Sequence, residues 1–165
     1  MMRVRITVWG MTVVLMLVIF LFSSQPAEIS NNLSKTLTKQ VLYIIPGMRL
    51  LSEAQREYVA TKANNIVRKS AHFMLYFCLG MIVYFSVMFT IYDKSYMVVL
   101  SYAMFFCVCY AVTDEVHQLF VPGRGGQLKD VIIDSSGSLL GSMVIALIGV
   151  KLNGLKNTFC MNKPQ

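Results

Sequence analysis

Residues Val131 to Val150 read VIIDSSGSLLGSMVIALIGV and contain a single charged side chain, that of Asp134. An α-helix needs about 20 mainly apolar residues to cross the hydrocarbon core of a bilayer, so this stretch is a candidate membrane span. Gly137 and Gly141 are four residues apart and share one face of that helix, where small residues let a second helix approach closely. Asp134 lies on the same stripe, which predicts that its carboxylate points into a helix bundle and not into lipid.

Three further apolar runs, at residues 6–22, 70–92 and 96–113, predict three more spans. Of the 165 residues, 56% are hydrophobic and only 14% are charged, whereas a soluble domain has about a quarter of its residues charged. The expected fold class is therefore all-α, a polytopic membrane bundle of about four helices that forms a single domain over residues 1–165. The net charge of +7 favours attraction to membrane lipids with anionic headgroups or to an acidic envelope polymer. No basic stripe alternates with aromatic residues, so nucleic acid is not an expected partner.

The first predicted span follows two basic residues, Arg3 and Arg5, and carries Trp9 near its start as an interfacial anchor. A cleaved signal peptide is the alternative, but the segment Ser-Ser-Gln-Pro-Ala after Phe22 lacks a small-x-small cleavage pattern. The basic flank favours a cytoplasmic N-terminus, whereas a plain count of Lys and Arg in the loops favours the opposite orientation. We expect a multi-pass protein of the cell membrane with its N-terminus in the cytoplasm.

The loop at residues 23–69 between the first two spans is polar but has helical signals. Apolar residues recur at helical spacing within Asn31 to Ile45, which predicts an amphipathic helix. The residues of this apolar stripe are Leu33, Leu37, Val41 and Ile44. Ser52 and Gln55 fit a capping box that starts a second helical stretch toward Val67. Interfacial helices that lie on the membrane are the favoured interpretation, and a cap over a site is the alternative.

Four spans place the start of the second helix, the end of the third and the start of the fourth at one membrane face. The unusual polar residues of the sequence lie at these three helix ends: Lys69, His72, Tyr76, Asp114, Glu115, His117, Gln118, Arg124, Asp130 and Asp134. Most of them are three or four residues apart within a helix, so each helix end presents one polar stripe. Because ionised groups inside a membrane pair with one another or line a wet cavity, the sequence predicts a functional pocket or, alternatively, an ion-paired packing network.

Three kinds of chemistry fit this set of residues. A metal site would use His72, His117, Asp130 and Asp134, but their spacing matches no named metal motif. We therefore predict no cofactor, and a metal ion stays open as the less favoured alternative. The four cysteines, at positions 78, 107, 109 and 160, form no Cys-x-x-Cys pair and are expected to be buried hydrophobes. Acid–base catalysis would use Glu115 or Asp130 as the base and His72 as the proton carrier. Binding of an anionic headgroup by Lys69 and Arg124 needs the fewest assumptions.

Four segments of this chain resemble the VanZ-like family of membrane proteins. They read FSSQP from Phe22 to Pro26, RKSAHFMLY from Arg68 to Tyr76, DEVHQLFVPGR from Asp114 to Arg124, and DVIIDSSG from Asp130 to Gly137. The segments occur in the family's order, so the resemblance covers roughly Trp9 to Gly149. Together they are specific, although any one alone would be weak.

The resemblance implies a small bacterial cell-envelope protein of the type linked to teicoplanin resistance. The residues that match the family's polar positions are Lys69, His72, Tyr76, Asp114, Glu115, Gln118, Arg124, Asp130 and Asp134. Asp134 is often Asn in the family. His117 occupies a more variable position, which makes a catalytic role for His117 less favoured.

Three functions stay open at the level of sequence. The first is binding of a lipid-linked envelope precursor or a glycopeptide in a polar pocket at the outer membrane face. The second is an intramembrane enzyme that acts on a lipid or peptidoglycan-linked substrate. The third is a structural or partner-binding membrane subunit.

Overall fold

The computed structural model describes residues 2–91 and 95–161, with side chains up to residue 150. This part of the chain forms five α-helices and contains no strand. The helices are α1 (Met2–Ser23), α2 (Ala27–Ile44), α3 (Glu53–Thr90), α4 (Tyr96–Gln118) and α5 (Leu128–Met161), and a short 3-10 helix, Met48–Leu50, precedes α3. The all-α fold class is confirmed.

Four of the helices are long and apolar enough to cross a membrane: α1, α3, α4 and the Leu128–Val150 part of α5. The predicted spans at 6–22, 96–113 and 131–150 lie within α1, α4 and α5. Each of these helices extends beyond the predicted limits, because the polar residues at the helix ends continue the helical backbone. The predicted end of the second span, residue 92, and Cys160 lie outside the described residues or side chains.

The second span and the helical stretch before it form one continuous helix, α3, of 38 residues. At 1.5 Å per residue this helix is about 57 Å long, roughly twice the hydrocarbon thickness of a bilayer. Its polar first half therefore extends beyond the apolar span. The predicted capping box starts the helix, since Ser52 N–H donates to Gln55 Oε1 (2.9 Å) and Gln55 N–H donates to Ser52 Oγ (3.3 Å).

Helix α2 packs against the polar first half of α3 in the antiparallel sense. Asn64 Nδ2 donates to Asn31 Oδ1 (2.9 Å), and Lys39 forms an ion pair with Glu57. The residues of α2 that face this contact are Ser30, Ser34, Thr38 and Leu42, all buried. The predicted apolar stripe, Leu33, Leu37, Val41 and Ile44, is exposed. A polar partner helix selects the polar face of α2, so the two segments form a helical hairpin whose apolar face is uncovered.

Helices α3 and α5 make the closest contact in the bundle. A Cβ atom added at Gly80 would overlap the backbone of Ser138, and one added at Gly141 would overlap the carbonyl of Phe77. Ser142 Oγ donates to the Gly80 carbonyl across the same contact (3.0 Å). The close approach predicted from the small residues of α5 is therefore present, and α3 is its partner.

Helix α1 is fixed to the rest of the bundle by polar groups inside the apolar core. The hydroxyls of Thr12 and Ser86 lie 3.0 Å apart and are buried, and Tyr110 Oη donates to the Met16 carbonyl (2.6 Å). These contacts bring the end of α1 beside the end of α4. The predicted convergence of three helix ends thus includes a fourth, that of α1.

Candidate functional site

The polar residues meet where α1 and α4 end, where the apolar part of α3 begins and where α5 begins. Lys69 on α3 forms an ion pair with Asp130 on α5, with the two side chains 34% and 20% exposed. One turn deeper, His72 Nδ1 on α3 lies 4.0 Å from Asp134 Oδ2 on α5. The turn-by-turn match of these two pairs follows from the helical spacing of three to four residues on both helices.

The two carboxylates at the end of α4 accept hydrogen bonds from three different segments. Asp114 Oδ2 accepts from Ser23 Oγ (2.8 Å) and from Gln118 Nε2 (3.2 Å). Glu115 Oε1 accepts from Gln118 Nε2 (3.3 Å), and Glu115 Oε2 accepts from the Gln127 backbone N–H (2.8 Å). Gln118 therefore connects both carboxylates, and Glu115 holds the loop before α5 in place.

Asp134 is the least satisfied polar residue of the site. Its side chain is only 1% exposed, yet neither carboxylate oxygen accepts a hydrogen bond within the described part of the chain. Oδ1 of Asp114, which is 3% exposed, is likewise without a described donor. One ligand atom each from His72, Asp114 and Asp134 lie within 4.8 Å of one another. These three residues are the ones that the geometry offers to a cation.

The loop between α4 and α5 brings Arg124 over the same face. Arg124 Nη2 donates to the Phe22 carbonyl (3.0 Å), and its Nε has no acceptor among the described residues. The pKa of the Arg124 guanidinium is lowered from its ordinary value, mainly by burial and to a smaller extent by the positive charge of the neighbouring Arg68. Gly123 has a φ of +73°, a left-handed conformation that gives the loop its turn directly before Arg124.

These side chains enclose a polar cavity of about 110 Å³. The cavity is lined by Arg68, Lys69, His72, Glu115, Gln118, Gly123, Arg124, Gly125, Gln127, Asp130, Ile133 and Asp134. A larger, mostly apolar groove of about 400 Å³ lies between α2 and α3. Arg68, His72 and Arg124 line both spaces, so the polar cavity and the apolar groove adjoin at these three residues.

Most of the residues singled out from the sequence lie in or beside this cavity. Seven of them line it: Lys69, His72, Glu115, Gln118, Arg124, Asp130 and Asp134. Asp114 lies beneath the cavity, joined to its wall through Gln118. Tyr76 is fully buried in the bundle, with its ring 6.0 Å from that of Tyr110.

His117 is directed away from the cavity. Its Nε2 lies 3.1 Å from Ser24 Oγ, and its ring packs against Phe20. The four-residue metal set considered from the sequence is therefore not assembled, because His117 faces α1 and Asp130 is paired with Lys69. Cys107 is buried as expected, whereas Cys78 and Cys109 are exposed, so the expectation of buried cysteines is wrong for these two; all three are free thiols.

Sequence reasoning missed three contributors to the site: Ser23, Arg68 and Gln127. Gln127 acts through its backbone N–H, for which no residue pattern is diagnostic, whereas the hydroxyl of Ser23 belongs to the FSSQP segment, which was the available signal. Arg68 directly precedes Lys69 and belongs to the same basic helix end, so its position was the available signal.

Comparison with known proteins gives one family match. The family model described as VanZ/LLP1 matches residues 8–149, which is most of the chain and includes every residue of the site. Neither the curated proteins nor the solved structures contain a match.

Proposed function

The chain belongs to the VanZ/LLP1 family of membrane proteins, and we propose that it binds an amphiphilic ligand with an anionic headgroup at the face where the four helix ends meet. The observation that carries this proposal is that a polar cavity, lined by three basic and three acidic side chains, adjoins an apolar groove at Arg68, His72 and Arg124. A ligand with a charged head and an apolar chain matches both spaces at once.

The headgroup would bind to the guanidinium groups of Arg68 and Arg124. Lys69 is neutralised by Asp130, whereas Arg68 forms no ion pair with a carboxylate of the described residues. Guanidinium groups bind phosphate and carboxylate through paired N–H donors, and such charge-assisted hydrogen bonds are about twice as strong as neutral ones.

The apolar chain of the ligand would lie in the groove between α2 and α3. Apolar side chains from both helices line it: Leu33, Leu37, Val67, Met74 and Leu75. Leu33 and Leu37 belong to the stripe of α2 that packs against no other helix. Part of the exposed apolar face of the hairpin would therefore contact the apolar chain of the ligand.

Two classes of ligand offer this combination of groups. One is a lipid-linked envelope precursor with a phosphate headgroup, and the other is a glycopeptide antibiotic that carries an acyl chain. The second would connect the site to teicoplanin resistance. The glycopeptide would reach the site from outside the cell and the lipid-linked precursor from the outer leaflet, so the cavity would have to lie at the outer membrane face.

Binding has more support than catalysis at this site. The two carboxylates considered as catalytic bases are already engaged, Glu115 by Gln118 and Gln127, and Asp130 by Lys69. A general base must reach the proton that it removes, and these contacts would first have to break.

The proposal is tested with the full-length protein in nanodiscs made of a neutral lipid. A labelled polyprenyl phosphate is titrated into the wild type, into Arg124→Gln and into Ala71→Phe, which fills the groove. Each variant should weaken binding by about 10- to 100-fold, the equivalent of about 1.5 to 3 kcal/mol for a charge-assisted contact. Arg3→Gln, which removes a cation from the opposite end of α1, should leave the affinity unchanged.

Two further arms separate the ligand classes and the rival function. An acylated glycopeptide and the same glycopeptide without its acyl chain replace the polyprenyl phosphate, and cells that carry each variant are tested for teicoplanin susceptibility. Equal binding by the wild type and both site variants would refute the binding proposal. Variants that lower the abundance of the protein and not its affinity would favour the structural-subunit function.

A further inference from the structure

Beneath the proposed ligand cavity lies a second cluster, made of His72, Asp114 and Asp134. The three residues come from three different helices, α3, α4 and α5. One ligand atom of each lies within 4.8 Å of the others, and all three side chains are buried or nearly so. We propose that His72, Asp114 and Asp134 bind a divalent transition-metal ion such as Zn²⁺. This inference goes beyond the proposed function and does not rest on it.

The first argument is that buried carboxyl oxygens of the cluster lack hydrogen-bond partners among the described residues. Asp134 lies six residues after the start of α5, about 9 Å along the helix, and is only 1% exposed. Neither of its oxygens is hydrogen-bonded by a described residue, and Oδ1 of Asp114 is in the same state. Buried carboxylates are unfavourable unless they are paired, hydrogen-bonded or bound to a metal.

The second argument is that no Lys or Arg of the described residues forms an ion pair with Asp114 or Asp134. Lys69 pairs with Asp130, one turn above the cluster, and Arg124 donates to the Phe22 carbonyl. The contact between His72 and Asp134 is 4.0 Å, which is too long for a hydrogen bond. An ion between these groups would supply the positive charge that the side chains do not.

The third argument is the chemistry and geometry of the donors. One imidazole nitrogen and carboxylate oxygens suit Zn²⁺ or Mn²⁺ better than Mg²⁺, which is usually held by oxygen ligands and several waters. Ligand atoms around a tetrahedral Zn²⁺ at about 2.1 Å are about 3.4 Å apart. Separations of up to 4.8 Å in the cluster would therefore have to shorten by up to about 1.4 Å. Rotation of the Asp134 carboxyl group can supply this, because no described group holds it.

Supporting contacts and access are also present. Asp114 Oδ2 accepts hydrogen bonds from Ser23 and Gln118, which orient the carboxylate and leave Oδ1 for the ion. Such contacts behind a ligand commonly change metal affinity by about 10- to 100-fold. His72 and Asp134 also line the polar cavity, which gives the ion a path from the membrane face.

The test uses the full-length protein in detergent, freed of metal with a chelator and then dialysed against Zn²⁺ or Mn²⁺ alone. Metal content per chain and the shift in unfolding temperature are measured without any lipid ligand. The wild type should bind about one ion per chain and become more stable, and excess Mg²⁺ should not displace the ion. Asp134→Asn and His72→Gln should each weaken binding by more than about 10-fold.

Matched variants keep the test decisive. His117→Gln removes the only other histidine and should bind the metal like the wild type. Asp134→Asn keeps the shape of the side chain and removes a buried charge, so it should fold in the absence of metal. The inference is overturned if the wild type takes up no ion, or if Asp134→Asn and His72→Gln bind as tightly as His117→Gln. Because lipid is absent, neither result bears on the headgroup-binding proposal.

Discussion

Gln118 is the residue on which the polar network at the end of α4 depends. Its Nε2 donates to Asp114 Oδ2 and to Glu115 Oε1, and it lies 3.4 Å from Ser23 Oγ. The side chain is 7% exposed, so water cannot easily replace these donors. A neutral amide between two carboxylates supplies donors to both without adding a charge of its own.

Replacement of Gln118 by leucine should therefore destabilise the protein by about 1–3 kcal/mol, because two buried carboxylates each lose a donor. The measurement is the free energy of unfolding in detergent, followed by loss of helical signal. Gln40→Leu is the matched control, since Gln40 is exposed on α2. Equal stability of the two variants would show that the amide contributes nothing to the network.

At the scale of the elements, the contact between α3 and α5 fixes the register of the site. Gly80 and Gly141 let the two backbones touch, and the pairs Lys69–Asp130 and His72–Asp134 continue the same register toward the membrane face. A shift of one helix along the other would separate both pairs. The glycines thus position side chains about two to three turns away.

Gly141→Ala should loosen this contact, because the added methyl group overlaps the Phe77 carbonyl. We expect a loss of about 1–3 kcal/mol of stability, the usual effect of overpacking, together with weaker binding of the polyprenyl phosphate. Gly10→Ala in α1 is the control, since a Cβ there meets no atom within 4 Å. A Gly141→Ala variant that is as stable as Gly10→Ala would mean that α3 and α5 can separate freely.

The sequence predicted those elements whose signal is carried by composition and spacing. The four apolar runs and the stripe of Asp134, Gly137 and Gly141 were readable, because lipid and close packing each demand particular residue types. The sequence did not predict that α3 is one continuous helix. Its first half is polar and its second half is apolar, so the two halves have different residue patterns. The packing face of α2 depends on the polarity of its partner, which no local pattern of α2 contains.

Within the site, the sequence could place residues at the same membrane face but could not choose between adjacent positions of a helix. His117 and Gln118 both fit the stripe of α4, and only packing places Gln118 inside and His117 against Phe20. Ser23 joined the site through the position of α1 in the bundle. Helical spacing specifies which face of a helix is buried to within one residue. The helix that packs on that face then determines which of two adjacent residues points inward.

For the whole molecule, the orientation in the membrane decides which compartment the cavity faces. Lys and Arg near span ends favour the cytoplasmic side, and the hairpin of α2 and the first half of α3 carries several of them. Positive charges weigh little beyond about 20 residues from a span, which reduces the influence of Arg49. Arg3 and Arg5 directly precede the first span, and the first span usually dominates orientation.

We therefore expect both chain termini to be cytoplasmic and the cavity to face outward. A fluorescent protein fused after Gln165 should fluoresce, and an alkaline phosphatase fused there should be inactive. The same two reporters inserted at Gly47, in the exposed turn of the hairpin, should give the opposite pair of results. Phosphatase activity at Gln165 would reverse the topology, and a ligand outside the cell or in the outer leaflet would then have no access to the cavity. The cluster of His72, Asp114 and Asp134 and the α3–α5 contact would be unaffected by that reversal, because both depend on the packing of the helices and not on the direction in which the bundle is inserted.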